Sequence, residues 1–155
     1  MKKPATPSLK STALRLLATR EHSRKELQRK LQAKAEDGDD VEAVLDRMAE
    51  TGLQSDERFA ESFVRSRAGK FGAARIRREL GDRGVDGELA STALGEVLVD
   101  DELTRARSVW NKKFGQPPVD AKEWAKQARF LQSRGFSADV IRKLLKDPVH
   151  ESVEG

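Results

Sequence analysis

KFGAARIRRELGDRG, residues 70–84, sets Arg75, Arg77, Arg78 and Arg83 among Gly72, Ala73, Ala74, Gly81 and Gly84. Two chemistries compete for this stretch. Its glycines can let backbone amides cradle a phosphate, or they can bound a short amphipathic helix. Periodicity decides. Ala73, Ile76 and Leu80 fall on one helical face, Arg75 and Arg78 point nearly opposite, and the stem of Arg77 flanks the apolar stripe. Gly72 then reads as the close of a preceding helix. Gly84 reads as a left-handed stop, with Val85 folding back on Leu80.

That stop, apolar-x-x-x-Gly-apolar, recurs at Met48…Gly52-Leu53 and Leu131…Gly135-Phe136. In the last two copies a helix-capping residue follows at once, Asp86 or Ser137. The flanking segments align as well. RRELGDRGVD and ARFLQSRGFS superpose on Leu80 and Leu131, 51 residues apart, and QRKLQAKAED superposes on them at Leu31, 49 residues further back. In that first copy Ala35 and Glu36 replace the Gly-apolar stop. GKFG (69–72) likewise matches KKFG (112–115). A period near 50 residues is the mark of stacked helical units.

Each unit reads as three helices. The first has Ala13, Leu14, Leu16 and Leu17, then a capping box at Ser23 and Glu26 opening a helix with Leu27 and Leu31. Asp39 is expected to cap its third helix, striped by Val41, Val44, Leu45 and Met48. The second has Phe59, Ala60, Phe63, Val64 and Phe71, then Ala73, Ile76 and Leu80, then Ala90, Ala93, Leu94 and Val97. The third has Leu103, Ala106, Trp110 and Phe114, then Trp124, Ala128 and Leu131, then Val140, Ile141, Leu144 and Leu145. QPPVDAKE (116–123) is an insertion between its first two helices. The expected fold is all-α: three tandem three-helix repeats over 9–53, 54–99 and 100–146, forming an elongated, curved array. Residues 1–8 and 147–155 are expected to be disordered tails.

Composition narrows the function. Hydrophobic residues are 37% and charged residues 36% of the 155, so little apolar surface is available for one thick core. Cysteine is absent, which excludes disulfides and thiolate chemistry. No apolar run suits a membrane span or signal peptide, and a cytoplasmic protein without membrane contact is expected. His22 and His150 lie apart in turn and tail, both expected to be solvent-exposed. EDGDD (36–40) lacks the alternation of a calcium loop and reads as a polar loop before a helix. With no nucleophile–base pair, phosphate loop or metal set, a non-enzyme without cofactor is expected.

Net charge is +4, but its sign swings along the chain. Residues 10–34 carry eight bases and two acids, and 36–57 carry nine acids and one base. Residues 58–83 return to eight bases and three acids, 85–102 hold six acids and no base, and 105–146 hold eleven bases and three acids. The residues alone leave two uses for the basic faces: sequence-independent phosphate contact, or solvated faces paired with acids such as Glu79 and Asp82.

SDERFAESFVRSRAGKFGAARIRRELGDRGVD (55–86) closely resembles the signature region of the bacterial RecX regulatory proteins. RFLQSRGFSADVIRKLL (129–145) and ALRLLATREHSRKELQRKL (13–31) resemble the family's third and first repeats. The one departure is Ala73, where the family often has a proline that pre-shapes a helix start. The resemblance implies a negative regulator of the RecA recombinase, acting in DNA recombination, repair and the SOS response. It implies binding along the groove of the RecA–DNA filament, with inhibition of ATPase, strand exchange and filament growth. The implied partners are the RecA filament and, weakly and without sequence preference, DNA; the free chain is expected to be a monomer. Arg65, Arg67, Lys70, Arg75 and Arg78 are expected to form the main basic contact surface. Arg20, Arg24 and Lys25 in the first repeat, with Arg129 and Arg134 in the third, are expected to extend it. The rival reading is an autonomous helical DNA-binding protein of the transcription-factor type, for which GAARIRREL (72–80) lacks the Asn, Gln and Ser mixture of a base-reading helix.

Overall fold

A computed structural model describes residues 7–146, and the described chain is helical with no strand. Among these residues the helices are α1 (Leu9–Thr19), α2 (Arg24–Gln32), α3 (Val41–Glu50), α4 (Asp56–Arg67), α5 (Ala73–Asp82), α6 (Gly87–Val97), α7 (Glu102–Lys113), α8 (Ala121–Ser133) and α9 (Ala138–Leu145). The tail expectations for 1–6 and 147–155, and the exposure expected of His150, lie outside the described residues.

Three separate cores follow the three-helix periodicity. Leu9, Ala13, Leu27, Leu31, Leu45 and Met48 form the first. The second is the largest, with Phe59, Phe63, Val64, Phe71, Ile76, Leu80, Val85 and Leu94 among its members. Ala106, Val109, Leu131, Phe136, Ile141 and Leu145 form the third, with Trp110 and Trp124 packed against it. All substantial helix–helix packing joins helices of the same repeat. Each repeat therefore meets its neighbour through loops, helix ends and polar side chains.

Local chemistry sets the helix bounds. Ser23 and Glu26 close the expected capping box, each side chain bonding the other's backbone amide. Ser8, Ser55, Asp101, Asp120 and Ser137 each accept a bond from an amide in the first turn of their helix. Gly84 and Gly135 adopt φ of 82° and 91°, and the Val85 and Phe136 amides reach back to the Leu80 and Leu131 carbonyls. Val85 and Phe136 are buried, as the stop motif requires.

Four local expectations need correction. Asp40, not Asp39, caps α3: its carboxylate takes the Ala43 amide, whereas Asp39 bonds the Glu36 amide within the loop. Gly52 is left-handed, yet Leu53 stays exposed, and the bond to the Met48 carbonyl comes from the Gln54 amide. Gly72 does not close a helix; α4 ends at Arg67, and Gly72 is the N-cap of α5 with φ −81°. Asp120 opens α8 within the QPPVDAKE insertion, so part of that insertion is helix rather than loop.

Candidate functional site

The two junctions between repeats use one construction twice. The end of α5 docks on the start of α2, and the end of α8 docks on the start of α5. At the first junction the Ser23 hydroxyl donates to the Arg83 carbonyl at 2.7 Å. At the second, in the matching place, the Gly72 amide donates to the Arg134 carbonyl at 2.7 Å. The leading amide of each middle helix is then held by a carboxylate from the next repeat. Arg24 N–H donates to Asp56 at 2.8 Å, and Ala73 N–H donates to Glu102 at 3.0 Å. Two helix-start donors are thus satisfied across a junction rather than by a local cap.

Close approach explains the glycines. A Cβ on Gly72 would fall on the Gly135 carbonyl, and one on Gly135 would fall on Arg75. At the corresponding position after α2 stands Ala35, where Gly84 and Gly135 stand in the later repeats.

Charge separates the junctions. At the first, Arg20 makes a two-pronged pair with Glu26 at 3.0 and 3.2 Å. Arg24 binds Glu42 and Asp46 at 3.1 and 2.6 Å, and Arg58 binds Glu21 at 3.0 Å. Arg83 lies 3.9 Å from Glu26 and stacks over Phe63 at 4.6 Å. Lys25 presses its stem on Gly84. Arginines and carboxylates are in balance here.

His22 lies within this junction and is buried at 1% exposure, which corrects its expected place in solvent. Its Nδ1 lies 3.1 Å from the Arg20 carbonyl and its Nε2 lies 3.0 Å from the Lys30 ammonium. A lysine can only donate, so the fitting tautomer carries its proton on Nδ1 and accepts at Nε2. Burial, with Arg20 and Lys30 nearby, holds the imidazole pKa below its ordinary value, against a smaller upward pull from the Arg20 carbonyl and Glu26. Glu26 is pushed up by burial, but its bonds to Arg20 and Ser23 more than offset this and hold its pKa below the usual value.

At the second junction aromatic rings join the carboxylates as partners of the arginines. Position 26 in α2 corresponds to position 75 in α5, so an arginine stands where the first junction has its central glutamate. Arg75 is not a free outer-face residue: its guanidinium lies 4.1 Å over the Phe71 ring and donates to the Ser133 carbonyl at 2.9 Å. Arg67 and Arg134 also approach Phe71, at 5.8 and 5.5 Å, and Arg134 lies 5.0 Å from the Phe130 ring. Glu79 serves both Arg75, at 3.4 Å, and Arg67, at 3.6 Å. Arg105, half-buried, donates to the Ala68 and Phe71 carbonyls, and burial lowers its pKa.

Beside this aromatic cluster opens a cleft of ≈ 410 Å³ lined by Gly69, Lys70, Val109, Lys112, Lys113, Phe130 and Arg134. Lys113 lies 5.6 Å from the Phe130 ring, whose edge meets Phe114 with centroids 5.4 Å apart. No carboxylate lines the cleft, and among the described residues none of its four cations is ion-paired.

The ten expected contact residues therefore divide three ways. Arg67, Lys70, Arg75 and Arg134 converge on the second junction. Arg20, Arg24 and Lys25 converge on the first, where the two arginines are neutralised. Arg65, Arg78 and Arg129 are exposed and unpaired among the described residues, away from the cleft lining. Sequence reasoning missed Lys112, Lys113 and Arg105. A signal for Lys113 was present: the match of KKFG to GKFG aligns it with Lys70. Among the described residues no cluster of side chains is placed to hold a metal ion, and no helix is long and apolar enough to cross a membrane.

Three family models match the chain in order: the first three-helix domain of RecX over residues 10–48, the second over 55–94 and the third over 100–145. The chain is 51% identical over 144 residues to the regulatory protein RecX of Leptothrix cholodnii, spanning 93% of this chain and 91% of that one. It is 47% identical over 138 residues to the regulatory protein RecX of Chromobacterium violaceum, spanning 89% of each. The crystal structure of RecX from Lactobacillus salivarius superposes with a TM-score of 0.73 over 95% of this chain and 96% of that one, at 24% identity, a likeness of fold.

Proposed function

Because the chain belongs to the RecX family of regulatory proteins, we propose that it is a negative regulator of the RecA recombinase. It lies along the groove of the RecA–DNA filament and inhibits ATP hydrolysis, strand exchange and filament growth. The observation that carries this reading is the basic surface at the junction of the second and third repeats, set on a chain of modules that are not fused into one core. Such modules suit a repeating partner: several weak contacts add through effective concentration. Contact with phosphate or acidic protein requires no catalytic constellation, and the chain acts in this reading without a cofactor.

The test is the DNA-dependent ATPase of RecA with and without the protein. The regulator reading expects inhibition at concentrations well below those that shift naked DNA. Sequence-specific shifts with an unaltered ATPase would instead support the autonomous DNA-binding protein.

A further inference from the structure

We propose that the cleft between the second and third repeats is the protein's DNA contact, seating the sugar–phosphate backbone of a strand against Lys70, Lys112, Lys113 and Arg134. This deepens the filament reading and rests on it for the identity of the anion. The contact itself is testable without RecA.

Four cations from three elements line one opening: Lys70 from the loop after α4, Lys112 and Lys113 from the last turn of α7, and Arg134 from the end of α8. Lys70, Lys112 and Lys113 are exposed. The α7 carbonyls offset part of the charge on its last-turn lysines. No carboxylate faces the opening, unlike the first junction, where Glu26, Glu42 and Asp46 occupy the arginines. Phe130 holds Lys113 and Arg134 by their charges over its ring, which places them without neutralising them.

The geometry favours a strand over a single bound phosphate. Phosphate pockets are built from helix-start amides, and here those of Gly72 and Ala73 are already taken by the Arg134 carbonyl and Glu102. What remains is a set of side-chain charges spread around an open cleft, suited to successive phosphates. It also favours nucleic acid over an acidic protein. A protein interface needs a desolvated aromatic or apolar anchor, whereas the exposed cations sit over and around the one aromatic ring that lines this cleft. Binding of this kind is independent of base sequence and falls steeply with salt.

Fluorescence anisotropy of the full chain with a labelled oligo-dT 20-mer, at several salt concentrations, tests the assignment. Lys112→Glu/Lys113→Glu should weaken binding about tenfold or more and reduce the salt slope by about 1.4, the share of two single-strand phosphate contacts. Lys10→Glu/Arg15→Glu, an exposed pair on α1 with the same change in net charge, should alter affinity less than about threefold. Lys113→Gln, a milder change in case the double reversal misfolds, should fall between wild type and the double variant. Equal losses from the cleft and α1 variants would reduce the effect to net charge and overturn the proposal. Unchanged binding by the cleft variants would also overturn it. So would displacement of the oligonucleotide by inorganic phosphate beyond the effect of chloride at equal ionic strength, and so would loss of binding to a poly-glutamate probe alone. A wild-type protein that binds the oligonucleotide through the cleft but leaves the RecA ATPase untouched would defeat the regulator reading and leave the cleft standing.

Discussion

The junction of the first and second repeats and that of the second and third share a backbone plan and differ in where their charge goes. Both dock a middle helix's end on the preceding middle helix's start, and both tie a leading amide to a carboxylate of the next repeat. In the first, Glu26 gathers Arg20 and Arg83, and His22 is buried beneath. In the second, Arg75 replaces that glutamate and Phe71 replaces the histidine, so Arg134 finds a ring where Arg83 finds an acid. One exchange of sign turns a self-satisfied ion network into a surface with charge to spare. Exposed pairs add only about 0–1 kcal/mol each, so the difference matters more for partners than for stability.

The largest expected effect comes from attacking the shared plan. Gly72→Ala puts a methyl group on the Gly135 carbonyl, a backbone group that cannot swing aside. It should cost about 2–3 kcal/mol by overpacking. Native-state hydrogen exchange should localise the loss to the second junction, with the Gly72 amide losing protection. Gly38→Ala serves as the contrast. Its φ is 90° but a Cβ there meets nothing within 4 Å, so only the left-handed penalty of about 1–2 kcal/mol applies.

A smaller effect follows from inverting the sign of the first junction. Glu26→Arg removes half of the capping box and sets a third arginine beside Arg20 and Arg83. Thermal unfolding should show a loss of about 1–2 kcal/mol. The reciprocal Arg75→Glu gives Arg134 an acidic neighbour, and DNA affinity should fall several-fold even though Lys112 and Lys113 are intact.

Smaller again is a pH dependence confined to the first junction. His22 has a depressed pKa, so the folded state disfavours its protonated form. Its contribution is complete above the ordinary value near 6.5 and is lost as pH falls below it. Glu26, also depressed, adds a second loss at lower pH, as the solution falls through its folded-state value. Melting temperatures at pH 7.5 and 5.5 should differ more for wild type than for His22→Phe, the residue the second junction carries naturally. The least effect belongs to Arg78→Glu: an exposed residue with no ion pair among the described residues, it should leave the unfolding free energy unchanged within about 0.5 kcal/mol in a denaturant titration.

The helices, the three cores and the stops at Gly84 and Gly135 were legible because each rests on chemistry within one turn of chain. Apolar spacing, an N-cap and a left-handed glycine all leave local marks. The junctions were not legible, since their partners lie 29 to 62 residues apart. Arg75 shows the consequence. A helical wheel placed it opposite the apolar stripe, and only the packing of the third repeat against α5 reveals Phe71 beneath it and the Ser133 carbonyl beside it. His22 is a turn residue too: its ring is buried between the Arg20 carbonyl and Lys30, and Gln54 from the next repeat donates to its carbonyl. Gly72 was misread because Phe-Gly closes α7 at Phe114 and Gly115, whereas after α4 the same pair opens the next helix.

The central claim is that charge left uncompensated at the second junction is what the protein offers its partner. Its most direct measurement is inhibition of the DNA-dependent RecA ATPase by Lys70→Glu/Lys113→Glu beside wild type, with both shown to melt alike. The account predicts a half-inhibitory concentration raised about tenfold or more. Equal inhibition by the two proteins would contradict it.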